Sequence, residues 1–123
     1  MNIFIFLGAL NGFIAVALGA FGSHGLEQIL DTASISTWQT GVRYEMFHAV
    51  ALIVVGILKD KYPDSNLLNG AGWLFLIGIV CFSGSLYIMA PTDINLGLVT
   101  PFGGVMFLSA WILLMIASYK LKK

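Results

Sequence analysis

Charge is scarce in this chain. Of 123 residues, six are Lys or Arg and six are Asp or Glu, 10% in all, against 59% hydrophobic. An average soluble domain carries about 25% charged residues. A soluble chain this short has too little interior to hide so much apolar surface, so the composition is that of a membrane protein. The net charge of zero argues against a nucleic-acid partner. One cysteine, Cys81, excludes an intramolecular disulfide and says nothing of redox compartment. No nucleophile–base pair or paired carboxylates of hydrolase type occur, so no catalytic residue and no enzymatic activity are expected. The Gly-rich run from Gly19 to Gly25 lacks the Lys and strand context of a phosphate loop. The first apolar run has no basic residues before it and is too long for a secretory h-region, so it is expected to be retained as a helix.

What the sequence has is four long apolar stretches, which predict an all-α, four-transmembrane-helix bundle in one domain. The predicted helices cover about 2–22, 37–59, 67–89 and 101–119. Between the first two, Leu26, Ile29 and Leu30 recur at helical spacing among Glu27, Gln28 and Asp31, which predicts a short interfacial amphipathic helix. Ser36-x-x-Gln39 reads as a capping box that starts the second helix near Thr37. Pro63-Asp64 marks a turn. Thr100-Pro101 reads as an N-cap followed by Pro at the first helical position. Lys59, Lys61, Lys120, Lys122 and Lys123 fall on one side of this topology and Arg43 on the other. That bias predicts both termini in the cytoplasm of a bacterial cell whose inner membrane holds the chain as a multi-pass protein.

Helix 1 carries Gly8, Gly12, Ala15, Gly19 and Gly22 at alternating spacings of four and three, on one face. Small residues in register let another backbone approach closely in lipid, so all five are expected to pack against a helix of this chain or of an oligomer.

The second stretch, Trp38 to Lys59, spans roughly 31 Å as a helix, about the hydrocarbon thickness, with its two end residues as interfacial anchors. It nonetheless carries Arg43, Glu45 and His48. On this register His48 lies roughly 16 Å above Lys59, near the midplane, and Arg43 roughly 24 Å above it, able to snorkel to the surface. Glu45 and His48 share a face, Tyr44 is four before His48, and Asn11 on helix 1 reaches a similar depth. Ionisable groups at such depth are costly and face a bundle interior, a cavity or each other. One reading is a proton relay or ligand pocket; the other is a hydrogen-bonded network locking helices together, favoured because helices 3 and 4 offer only Ser83, Ser85 and Ser109 to continue a path. For Arg43 the alternatives are a pair with Glu27 or Asp31 and a grip on lipid phosphate. His24 and His48 would sit at different depths, which argues against their sharing a haem, and no metal site or cofactor is expected.

Four ordered segments carry a family resemblance: Gly19-Ala-Phe-Gly-Ser-His-Gly-Leu26; Trp38-Gln-Thr-Gly with Tyr44 and His48-Ala-Val-Ala-Leu52; Phe82-Ser-Gly-Ser-Leu-Tyr87; and Thr100-Pro-Phe-Gly-Gly104 followed by Trp111. Over nearly the whole chain it resembles the small bacterial membrane-protein family known as domain of unknown function 423, and is similar to the eukaryotic transmembrane protein 256 group. The resemblance implies a four-helix inner-membrane protein. It places His24, Tyr44, His48, Ser83, Ser85, Tyr87 and Pro101 in the family pattern and brings no reaction or substrate. Glu45 stands where many such proteins carry Gln, and Ser23 where many carry Ala. Three functions are then open. The first is a non-enzymatic membrane protein that binds lipid or protein partners, or itself as a homo-oligomer, and supports the envelope. The second is a small transporter or channel subunit using Glu45 and His48. The third is a cofactor-binding redox subunit.

Overall fold

The structure, a computed structural model, describes residues 1–121. Lys122 and Lys123, two of the five lysines in the charge argument, lie outside the described residues. The helices are α1 (Ile3–His24), α2 (Thr32–Lys61), α3 (Asn66–Gly78), α4 (Gly84–Met89) and α5 (Val99–Lys120). A π-helical turn, Ile79–Ser83, joins α3 to α4, so that Asn66–Met89 forms one continuous span. By length and composition α1, α2, this third span and α5 are each able to cross a membrane. No strand occurs among the described residues.

Asn2 caps α1 by accepting from the Ile5 N–H at 3.2 Å. Its amide also donates to the Gly56 carbonyl at 2.7 Å and to Asp60 Oδ1 at 3.0 Å, tying the start of α1 to the end of α2. The second helix begins five residues before the expected Thr37. Asp31 is its cap, accepting from the Ser34 N–H at 2.8 Å, and that contact holds the Asp31 carboxyl below its ordinary range. With the cap supplied upstream, the hydroxyls of Thr37 and Thr40 turn back to the carbonyls of Ala33 and Ser36, and Ser36 lies inside the helix. Thr100 is likewise no cap. The last span starts at Val99 without a side-chain cap, and Pro101 falls within the first turn, where free N–H groups make it harmless. The amphipathic segment between α1 and α2 is a single 3₁₀ turn, Leu26–Gln28. It docks through Leu26, which is buried with Trp38 and Ala90, while Ile29 points outward.

The helices are arranged as an arc. α1 lies along α2, the third span lies between α2 and α5, and α2 and α5 stand apart. The core cluster runs through Phe4, Leu52, Val55, Leu68, Phe75 and Phe107. Glycine permits each close approach. A Cβ on Gly8 would lie 2.7 Å from the Ala49 carbonyl oxygen, and one on Gly56 would lie 2.8 Å from the Ile5 nitrogen. On the other side of the arc, Gly103 of α5 abuts the backbone of Phe82 at the π turn.

Within the chain, the small-residue stripe on helix 1 is covered at four of its five positions. Gly8, Ala15 and Gly22 are buried and Gly19 faces Val42, but the Cβ position of Gly12 looks into open space within this chain. Gly12 lies at the edge of the stripe, and α2 covers the positions on either side of it. Trp38 is packed within the bundle. It is 6% exposed, fills the space beside Gly22, and donates from Nε1 to the Leu18 carbonyl at 2.9 Å.

Candidate functional site

The polar residues in the middle of α2 look in two directions. Glu45 is 3% exposed and turns toward α4, where it accepts a hydrogen bond from the Tyr87 hydroxyl at 2.7 Å. One turn earlier, Gly41 has no side chain to hold the third span away, so the Tyr87 ring and Leu86 pack on it. The fully buried Ser83 donates to the Gly41 carbonyl at 2.7 Å. Ser83 closes the π turn, whose irregular winding brings this hydroxyl onto the α2 backbone. Two residues on, the buried Ser85 meets the Thr100 hydroxyl, joining α4 to α5.

His48 points the other way, toward α5. Its ring stacks on Phe107 at 3.7 Å between centroids, only 6° from parallel. Nε2 lies 3.1 Å from the Trp111 indole nitrogen, and Nδ1 lies 2.8 Å from the Tyr44 carbonyl. An indole N–H can only donate, so Nε2 is the acceptor and the ring proton sits on Nδ1, donated to Tyr44. Both ring nitrogens are used, and the neutral tautomer is set by the fold.

Four ties therefore close a circuit among α2, the third span and α5: Ser83 to Gly41, Tyr87 to Glu45, Ser85 to Thr100, and Trp111 to His48. Glu45 and His48 share no hydrogen bond. Asn11, expected beside them, is buried, and its amide donates to the Leu7 carbonyl of its own helix at 2.8 Å. His24 is exposed at the end of α1, remote in environment from the buried His48. Arg43 donates to Thr40 on its own helix at 3.2 Å and leaves Glu27 and Asp31 alone.

Because α2 and α5 stand apart, their facing sides enclose a groove of about 1250 Å³. Tyr44, Phe47 and Val54 form one wall; Gly104, Leu108 and Leu114 form the other. Phe107 with the His48–Trp111 pair lies between them, and Arg43 stands at one end. Lys59, Lys61 and Asp93 take no part in it. Of the residues that define this region, the importance of Trp111, Phe107 and Gly41 did not emerge from polar-residue reasoning. The available signal was the four-residue spacing of Phe107 and Trp111, which sets two aromatic rings on one face of α5.

Four apolar spans tied laterally by buried polar side chains define an integral membrane protein. The chain belongs to the family described as "Protein of unknown function (DUF423)", whose pattern matches residues 18–104. It is similar to the UPF0382 membrane protein YwdK of Bacillus subtilis (strain 168), with 50% identity over 121 residues, 98% of each chain. It is also similar to the UPF0382 membrane protein SAB0533 of Staphylococcus aureus (strain bovine RF122 / ET3-1), 46% identical over 98% of each chain. A third relative, the UPF0382 membrane protein SSP2132 of Staphylococcus saprophyticus, is 46% identical over 98% of this chain and 100% of its own. No solved structure matches the chain.

Proposed function

We propose that this is a non-enzymatic protein of the bacterial cell membrane, with both termini in the cytoplasm, that binds membrane lipid and supports the integrity of the envelope. The observation that supports this reading is the apolar groove between α2 and α5, open beside a bundle whose buried polar groups are already engaged with one another. A groove with almost no polar lining, inside a bilayer, suits an acyl chain better than a solute. The transport reading has less behind it. Glu45 and His48 face different helices, and Asn11 is bonded to its own, so no polar chain runs among them. Protein partners and a second copy of this chain are the competing occupants of the exposed apolar faces.

A strain lacking the protein tests the reading. It is expected to become more sensitive to detergent and membrane-permeabilising agents. Wild type and Glu45→Gln should both restore resistance, in proportion to their abundance in the membrane. A Glu45→Gln protein that is present at wild-type level but restores nothing would favour the transport reading instead. Native mass spectrometry of the purified protein should find phospholipid retained.

A further inference from the structure

We propose that the groove between α2 and α5 holds one acyl chain of a phospholipid whose phosphate diester is bound by Arg43. This rests on the lipid-binding reading above and names its ligand and site. The dimensions agree. Val42 to Val54, the extent of the groove along α2, is roughly 18 Å of helix, close to half the ~30 Å hydrocarbon core and so to one leaflet. The walls are aliphatic and aromatic along that length. The two nitrogens of His48, the most polar group between them, are occupied by Tyr44 and Trp111 and so offer nothing to a polar ligand.

Charge selects the headgroup. A guanidinium has five N–H donors, and the one hydrogen bond recorded for Arg43 goes to the Thr40 hydroxyl. Arg43 is exposed at the groove's end and, on the Trp38–Lys59 register, lies roughly 7 Å inside the interface, within reach of it by snorkelling. An oxyanion with two accepting oxygens, as a phosphate diester has, matches the planar fork of an Arg side chain. No acidic residue lines the groove, so a second copy seated there through the same surface would bring Arg43 no counter-charge from the lining. A phospholipid supplies the anion and the apolar chain in one molecule, in the leaflet on the Arg43 side.

Gly104 gives the means of testing this. It lies in the groove wall, inside α5, and its Cβ position meets no atom within 4 Å. Gly104→Leu should fill the groove and leave the helix packing intact. Gly12→Leu, at an equally open site outside the groove, serves as the control. Delipidated protein in maltoside micelles, in a Trp73→Phe background that removes an exposed indole, is titrated with phosphatidylglycerol carrying brominated acyl chains. Circular dichroism and the unfolding midpoint report folding for each variant. Saturable quenching of the part of the indole emission that comes from the groove-lining Trp111, Trp38 being buried away from the groove, is expected, unchanged in Gly12→Leu and lost in folded Gly104→Leu. Arg43→Gln should weaken it about tenfold, the loss of a charge-assisted contact. Brominated diacylglycerol, lacking the phosphate, should bind wild type and Arg43→Gln alike. Saturable quenching that Arg43→Gln leaves unchanged would overturn the headgroup assignment while lipid binding itself stands. Quenching equal in wild type and Gly104→Leu would overturn the groove as the site. Absence of saturable binding would overturn both this assignment and the lipid-binding reading. A dimer that Gly104→Leu abolishes, without quenching in the wild type, would make a second copy the occupant.

Discussion

Two side chains of opposite character do the lateral joining on α2, and each has a substitution that separates structure from chemistry. Tyr87 donates to Glu45, and a glutamine carbonyl accepts as a carboxylate does. Glu45→Gln is therefore expected to leave stability unchanged or slightly raised, since it removes a buried ionisable group. Tyr87→Phe leaves the Glu45 oxygen unpartnered and should cost about 1 kcal/mol. What the geometry asks of this position is an acceptor, with or without charge. At His48 the loss is larger. His48→Ala orphans the Trp111 N–H and empties the stacking site on Phe107, for an expected loss of about 2–3 kcal/mol. Trp111→Phe removes the donor, keeps an aromatic ring and should cost about half of that. Reversible unfolding in mixed micelles measures all four. Equal stability of His48→Ala and wild type would show that the α2–α5 contact is held elsewhere.

At the scale of the helices, neighbouring glycines have opposite roles, and the sequence does not say which is which. Gly103 and Gly104 are adjacent on α5. A methyl group on Gly103 would strike the Phe82 backbone, which has no rotamer to yield, so Gly103→Ala should cost about 2 kcal/mol or more. On Gly104 the methyl meets open space, and the gain in helix propensity should stabilise by about 0.5–1 kcal/mol. Gly8→Ala and Gly12→Ala should differ in the same sense, the first clashing with the Ala49 carbonyl and the second harmless. Period alone put all five small residues of helix 1 on one face, which is as far as one helix can be read without its neighbour. The four spans and their approximate limits were legible because length and hydropathy decide them. The π turn was not, because Ile79 to Ser83 has no proline and no composition that distinguishes it from regular helix. What marks the turn is tertiary: the backbone of α5 at Gly103 abuts Phe82, and the Ser83 hydroxyl meets the Gly41 carbonyl. The caps at Asp31 and Ser36 show the same limit, since two acceptable caps five residues apart compete and only the entry path of the chain chooses between them.

For the molecule as a whole, the arc of four spans makes α2 and the third span the centre, with α1 and α5 on its flanks. The polar residues named from sequence converge mainly on that centre: Glu45, His48, Ser83, Ser85 and Tyr87 are drawn in, while His24 and Arg43 stay at the periphery. Depth along a helix is legible in a sequence, but azimuth relative to unseen neighbours is not, which is why Glu45 and His48 shared a predicted face yet serve different partners. Orientation across the bilayer depends on a different kind of information, the distribution of Lys and Arg. Lys59 and Lys61 end α2, Lys120 ends α5, and Lys59 folds over the following turn to the Pro63 carbonyl at 2.7 Å. The opposite end carries Arg43 alone, with Asp93 in its connecting segment. Because only the Lys and Arg bias sets the direction, the expected arrangement puts the α2–α3 turn in the cytoplasm and the segment from Pro91 to Leu98 outside. Single cysteines placed at Asp93 and at Lys61 in a Cys81→Ala background test it in intact cells. A membrane-impermeant thiol reagent should label the Asp93 position directly and the Lys61 position only after permeabilisation. The reverse pattern would turn the molecule over, placing the Arg43 end of the groove in the cytoplasmic leaflet and changing which lipids reach it.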